Sequence, residues 1–173
     1  MISFYDDNVT FDANSSTSIA VTFDPFTPTD ENILIPPEAP ITLDGITFTP
    51  LDPLTAPPNL FVATPDGIAA PDFAVPLESN VLTVSGNENI DITFSTASTA
   101  VGFDTYTNMF DPPVVSVYDT DGQLRATYLI LPRESFGFLG IVSNFPIGKV
   151  NWLATRGGEQ DTGIANIKVG YAK

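Results

Sequence analysis

The chain has 173 residues, 43 % of them hydrophobic, and its 13 Phe can build a core; this size suits one domain spanning 1–173. It carries 21 acidic residues against six basic ones, for a net charge of -15, and no Lys, Arg or His precedes Arg125. That excludes binding to a phosphate backbone and attraction to an anionic membrane, and with Cys and His both absent it also excludes disulfides, Ser-His-Asp and Cys-His catalysis, and metals held by Cys or His.

The segment MISFYDD at residues 1–7 lacks the basic and apolar stretches of a signal peptide. No apolar run is long enough for a membrane-inserted helix, which needs about 18 residues. Apolar and polar residues alternate over 19–23 (IAVTF), 41–48, 81–84, 90–94, 114–118, 124–131, 136–142, 150–154 and 164–169. Period-two runs rich in β-branched and aromatic residues predict strands. No window has the spacing of an amphipathic helix, so no helix is expected. The expected fold is all-β, a jelly-roll-like antiparallel β-sandwich of about ten strands.

Twelve of the 16 prolines lie between positions 25 and 76. Proline cannot donate to a central ladder, so 25–40 and 50–76 read as long surface connections around a strand at 44–48. At 118–123 the sequence YDTDGQ places Asp-Gly between two alternating runs, a hairpin signal. The same letters open an EF-hand loop, but the twelfth position from Asp119 is Ile130 where calcium needs a bidentate Glu. A turn is expected there, without calcium.

The segments ITLDGITFTP, NIDITFSTASTAVGFDTY, VVSVYDTDGQLRAT, FGFLGIVSNFPIGKVNWLAT and GIANIKVG follow one another between 41 and 170. In that order they resemble the exported bacterial β-sandwich proteins of PEP-CTERM type, common in cyanobacteria. The resemblance implies a jelly roll similar to carbohydrate-binding modules, without an assigned catalytic activity, and an extracellular or cell-surface location. Two features depart from the pattern. The Val-Pro-Glu-Pro sorting tail does not follow Lys173, and Ala165 stands where the closing strand of the family has an acid. In such modules that acid helps hold a structural calcium, a role that passes here to Asn166 or Asp161.

Calcium takes six to eight hard oxygens, and Asp6, Asp7, Asp24, Asp104, Asp161 and Asn166 are the candidates for a structural ion, with Asn8 beside the first pair. For carbohydrate, Tyr106 and Asn108 are expected in a loop after the VGFD strand, with Asp104 beside them. Tyr5, Tyr106, Tyr118 and Tyr128 are the expected exposed aromatics, whereas Trp152 shares a face with Val150 and Ala154 and is expected in the core. The expected function is a non-catalytic binding or surface module. Its alternatives are a self-associating structural protein, with the late basic residues meeting the acidic remainder in a homo-oligomer, and a glycoside hydrolase built on a carboxylate pair.

Overall fold

Alternating runs of Val, Ile, Thr and Phe become strands here because each places one row of apolar side chains inward and one polar row outward. The computed structural model describes residues 1–24, 33–34, 40–51, 60–65, 77–84, 89–107, 113–131, 136–154 and 162–173, without the side chains of 33, 34 and 61. Among them are twelve strands and one helix: β1 (Ile2–Tyr5), α1 (Asn8–Asn14), β2 (Ser15–Val21), β3 (Ile33–Leu34), β4 (Ile41–Leu43), β5 (Ile46–Pro50), β6 (Leu60–Ala63), β7 (Val81–Val84), β8 (Asn89–Tyr106), β9 (Val114–Asp119), β10 (Leu124–Leu129), β11 (Gly137–Leu153) and β12 (Gly163–Ala172). Every pairing is antiparallel. The fold is all-β, as the alternation predicts.

Two strands, β8 and β11, run side by side through the whole molecule. The first half of β8 and the second half of β11 lie in one layer, ordered β4-β5-β8-β11-β9-β10. Their other halves lie in a second layer, where β1 pairs with β11, β12 with β8, and β2 and β7 with β12, followed by β6 and β3. The register shifts twice, between Val142 and Ile147, where β11 carries Pro146, and between Ile147 and Lys149, where β8 carries the exposed Ser95, Thr96 and Ala97. Bulges bend strands and accept proline, so one strand pair can serve two layers.

The layers close on a shared core of Phe48, Ile90, Ile92, Phe103, Leu139, Ile141, Val150 and Trp152, among others. Phe103 from the second layer meets Trp152 from the first edge to face, with ring centroids 6.0 Å apart. That contact makes the arrangement a sandwich. Trp152 is fully buried as expected, and its indole N–H donates to the Thr162 hydroxyl at 3.1 Å.

Two Asp-Gly turns set local register. Asp121-Gly122 closes the β9–β10 hairpin as its sequence predicts, with Gly122 at φ 77° and the Asp119 carboxylate accepting from the Asp121 and Gln123 amides at 3.0 and 2.9 Å. At Asp44-Gly45 the expected single strand over 41–48 is instead a tight hairpin, because φ values of 46° and 80° reverse the chain between β4 and β5.

The helix α1 is absent from the sequence expectation. Asp7 caps it, its Oδ1 accepting from the Thr10 amide at 2.7 Å, and the Ser15 hydroxyl donates to the Phe11 carbonyl at 2.8 Å at the other end. Phe11 is its one buried side chain. The ring rests on Gly102 and Gly140, which face each other across β8 and β11, and packs against Phe138 at 5.4 Å. A methyl group at Gly140 would stand 2.5 Å from a Phe11 ring carbon, so the pair of glycines forms the seat.

Candidate functional site

Two polar networks interrupt the sandwich. The first joins residues that the sequence marks separately. Asp104 on β8 pairs in register with Ala165 on β12, and the ladder then bulges before Lys168. Asn166 in that bulge adopts the left-handed conformation, at φ 48°, and its amide donates to Asp104 Oδ2 at 2.7 Å. It also reaches the Ser79 hydroxyl at 3.5 Å, which lies 3.4 Å from the Tyr106 hydroxyl. Burial pushes the Asp104 carboxyl above its ordinary range, against the pull of Asn166 and Lys168, with Glu78 adding to the rise.

Tyr106 does not stand in a loop. It ends β8, is fully buried, and stacks on Phe136 at 5.6 Å and 21°. Its hydroxyl accepts from the Glu78 amide at 3.3 Å. The expectation of an exposed platform at Tyr106 is corrected for that reason: Leu77, Val81, Ala165 and Phe136 enclose the ring in a small second core. The same packing gives a reason for Ala165, since an acid at that fully buried position would sit among apolar side chains.

The remaining candidates are dispersed. Asp7 caps α1, and the Thr10 hydroxyl and amide hold its carboxyl below the ordinary range. Asp6 precedes it at the end of β1, and Asp24 accepts from the Thr22 hydroxyl at 2.9 Å. Asn108 and Asp161 lie outside the described residues. Among the described residues, no three Asp, Glu, His or Cys side chains stand together as a metal centre, and no helix is long and apolar enough to cross a membrane.

The second network lies on the outward face of the first layer. The register aligns Thr42, Thr47, Thr93, Lys149 and Tyr118 in one cross-strand row, and Thr49, Asp91, Asn151, Ser116 and Thr127 in the next. The Asn151 amide donates to Asp91 Oδ1 at 2.9 Å and to Asn89 Oδ1 at 2.8 Å. Lys149 Nζ donates to Asp91 Oδ2 at 3.0 Å and sits 4.4 Å from the Tyr118 ring centroid. The result is a broad face of hydroxyl, amide and carboxylate groups whose central members hold one another in place. Sequence reading names from this set Tyr118, as an exposed aromatic, and Lys149, only as one of the late basic residues. The signal that could have found the rest is the outward row of each alternating strand, which is uniformly polar at Thr47, Thr49, Asn89, Asp91, Thr93, Lys149 and Asn151.

No family model matches the chain, and no curated protein does so either. Among solved structures, a mutant of CBM29-2, a family 29 carbohydrate-binding module, is similar over 73 % of this chain and 76 % of its own, at 10 % sequence identity and a TM-score of 0.40. A likeness at that level carries no argument about ligand or activity.

Proposed function

We propose that the protein is a non-catalytic binding or cell-surface module, extracellular in location, that takes carbohydrate on the outward face of its first layer. The observation that carries this reading is the interlocked set Asn89, Asp91, Lys149 and Asn151, flanked by Thr93, Ser116 and Tyr118. Neighbouring sugar hydroxyls each donate and accept, and fixed carboxylate, amide and ammonium groups answer both needs. A neutral glycan also suits a chain of net charge -15, which repels anionic polymers. Titration with a panel of neutral oligosaccharides by calorimetry is the test. Binding by the wild type that Asp91→Ala and Asn151→Ala both abolish is expected; a wild type that binds none of the panel refutes the reading.

A structural calcium belongs to the same proposal, with oxygens from Asp104 and the Ser79 hydroxyl close together and Asn166 beside them, whose amide now turns its nitrogen to both and would have to rotate to offer its oxygen. The ion would stabilise the folded state by mass action, about 2.7 kcal/mol at a hundred times its dissociation constant. Thermal melts with millimolar calcium and with chelator check it, and identical curves remove calcium from the proposal. The alternative, a self-associating surface protein, rests on the edge strand β10 and its continuation, where Leu124, Leu129 and Leu131 are exposed. Light scattering that finds a monomer at every ionic strength eliminates it.

A further inference from the structure

Two stretches of the chain read Asn-x-Ser/Thr with no proline in the middle, and they lie at the two ends of α1: Asn8-Val9-Thr10 and Asn14-Ser15-Ser16. That triplet is the acceptor signature for an asparagine-linked glycan. The structure treats the two differently. Asn8, Val9 and Thr10 are all exposed, Val9 at 80 %, whereas Ser15 is 3 % exposed. Ser15 and Ser16 open β2, where they pair with Ala172 and Tyr171 of β12.

The nitrogens that would carry the sugar differ as well. Asn14 Nδ2 donates to the Thr10 carbonyl at 2.8 Å. Asn8 is held instead by its oxygen, Oδ1, which accepts from Lys168 Nζ at 2.8 Å. Glycosylation replaces one amide hydrogen and leaves Oδ1 its lone pairs, so a glycan on Asn8 keeps the Lys168 bond. A transferase takes its acceptor triplet in an extended turn, so α1 has to open at that end. Seven residues have no helical stability of their own, and the one buried side chain of α1 is Phe11. The Asn8–Thr10 turn can therefore unwind without breaking a strand pair, which the second triplet cannot do.

The position also leaves the rest of the molecule free. Phe11 seats α1 on Gly102 and Gly140, whose chain neighbours Val101, Phe103, Leu139 and Ile141 belong to the core. The helix thus lies on the outward face of the second layer, while Asp91 and Asn151 lie on the outward face of the first. A glycan on Asn8 projects from the side of the sandwich opposite the polar face and does not cover it.

We propose that Asn8 is the attachment site of an N-linked oligosaccharide, delivered by a transferase from a lipid-pyrophosphate donor. Asn8 Nδ2 forms the new bond to the anomeric carbon of the sugar. The bond from that carbon to the lipid pyrophosphate breaks, the pyrophosphate leaves with its electron pair, and one amide proton passes to a base of the transferase. The inference rests on the extracellular location proposed above, because such donors face away from the cytoplasm. Its test does not, because it uses the purified chain, so a failure there bears on the site and not on the location.

The folded full chain is incubated with an oligosaccharyltransferase and a lipid-pyrophosphate-linked oligosaccharide, with an unfolded acceptor peptide confirming that the enzyme is active. Intact mass and peptide mapping should show the mass of one glycan added at Asn8. Asn8→Gln and Thr10→Ala should lose that addition, and Thr10→Ser should retain it. Phe11→Ala, which frees α1, should speed transfer to Asn8 severalfold, with amide signals of β2 and β12 reporting intact sheets. No transfer to Asn8 in the wild type, equal transfer to Asn14, an addition that persists in Asn8→Gln, or an unchanged rate in Phe11→Ala would overturn the proposal.

Discussion

Phe11 and Gly140 form a pair whose energies should not add. Phe11 is 1 % exposed, and replacing a fully buried Phe by Ala costs about 3–5 kcal/mol in transfer and cavity terms. A helix of seven residues has no stability of its own, so Phe11→Ala should release α1 while the sheets persist. Gly140→Ala inserts a methyl 2.5, 2.8 and 2.9 Å from three Phe11 carbons. The backbone there cannot retreat, because it is paired with Tyr5 on one side and Gly102 on the other. Overpacking of this kind costs about 1–3 kcal/mol. In the Phe11→Ala background the opposing ring is gone and the released α1 can carry its remaining Cβ away, so the added methyl should cost close to nothing. Urea denaturation of the wild type, both single variants and the double variant should therefore yield a coupling energy of about 1–3 kcal/mol. Additivity to within about 0.5 kcal/mol would refute the seat described for Phe11.

Three further outcomes are expected. The Ser98 hydroxyl is buried without a hydrogen-bond partner, a state that costs about 1–3 kcal/mol, so Ser98→Ala should match or exceed the wild type in melting temperature, and a clear loss would count against it. Burial raises the folded-state value of Asp104 above its ordinary 3.8, so the folded protein binds this proton more tightly, and stability should fall as pH rises from that value through the raised one; Asp104→Asn should flatten the slope in that window when melts are compared across pH. Asp119 behaves oppositely, because the Gln123 amide above all, and then Arg125 and the Asp121 amide, hold its carboxyl below 3.8. Its contribution is present above 3.8 and lost as pH falls through the lowered value, so Asp119→Asn should weaken the acid-side decline and an unchanged decline would contradict the assignment.

The legible part of this fold was the part that a strand decides for itself. Alternation located β12 and parts of the other long strands, though only 90–94 of β8, and the shared face of Val150, Trp152 and Ala154 placed the tryptophan inside. The illegible part was set by partners distant in sequence. The helix α1 has a single buried contact, Phe11, and its seat is a glycine pair more than ninety residues farther along, so no helical periodicity had to appear. The expected strands at 136–142 and 150–154 are one strand, β11, because a bulge lets pairing continue through Pro146. Tyr106 reads as a loop residue until Phe136, thirty positions later, covers its ring. Asp104 and Asn166 were both singled out, yet their meeting depends on a bulge at Asn166 that no local signal announces. The polar face was hidden for a related reason, since it belongs to no segment and exists only once six strands are in register.

The sharing of β8 and β11 between both layers has a consequence for how the protein assembles and comes apart. Neither layer owns a complete set of strands, so neither can be lost while the other keeps its central pair. Unfolding should then be a single cooperative event, with amide exchange in Ile90–Ile92 and in Val101–Phe103 slowing to one common limit despite their places in different layers. Folding must first join β8 to β11 across the whole of β9 and β10, and loop closures of that span place the molecule among the slower folders, in the millisecond-to-second range.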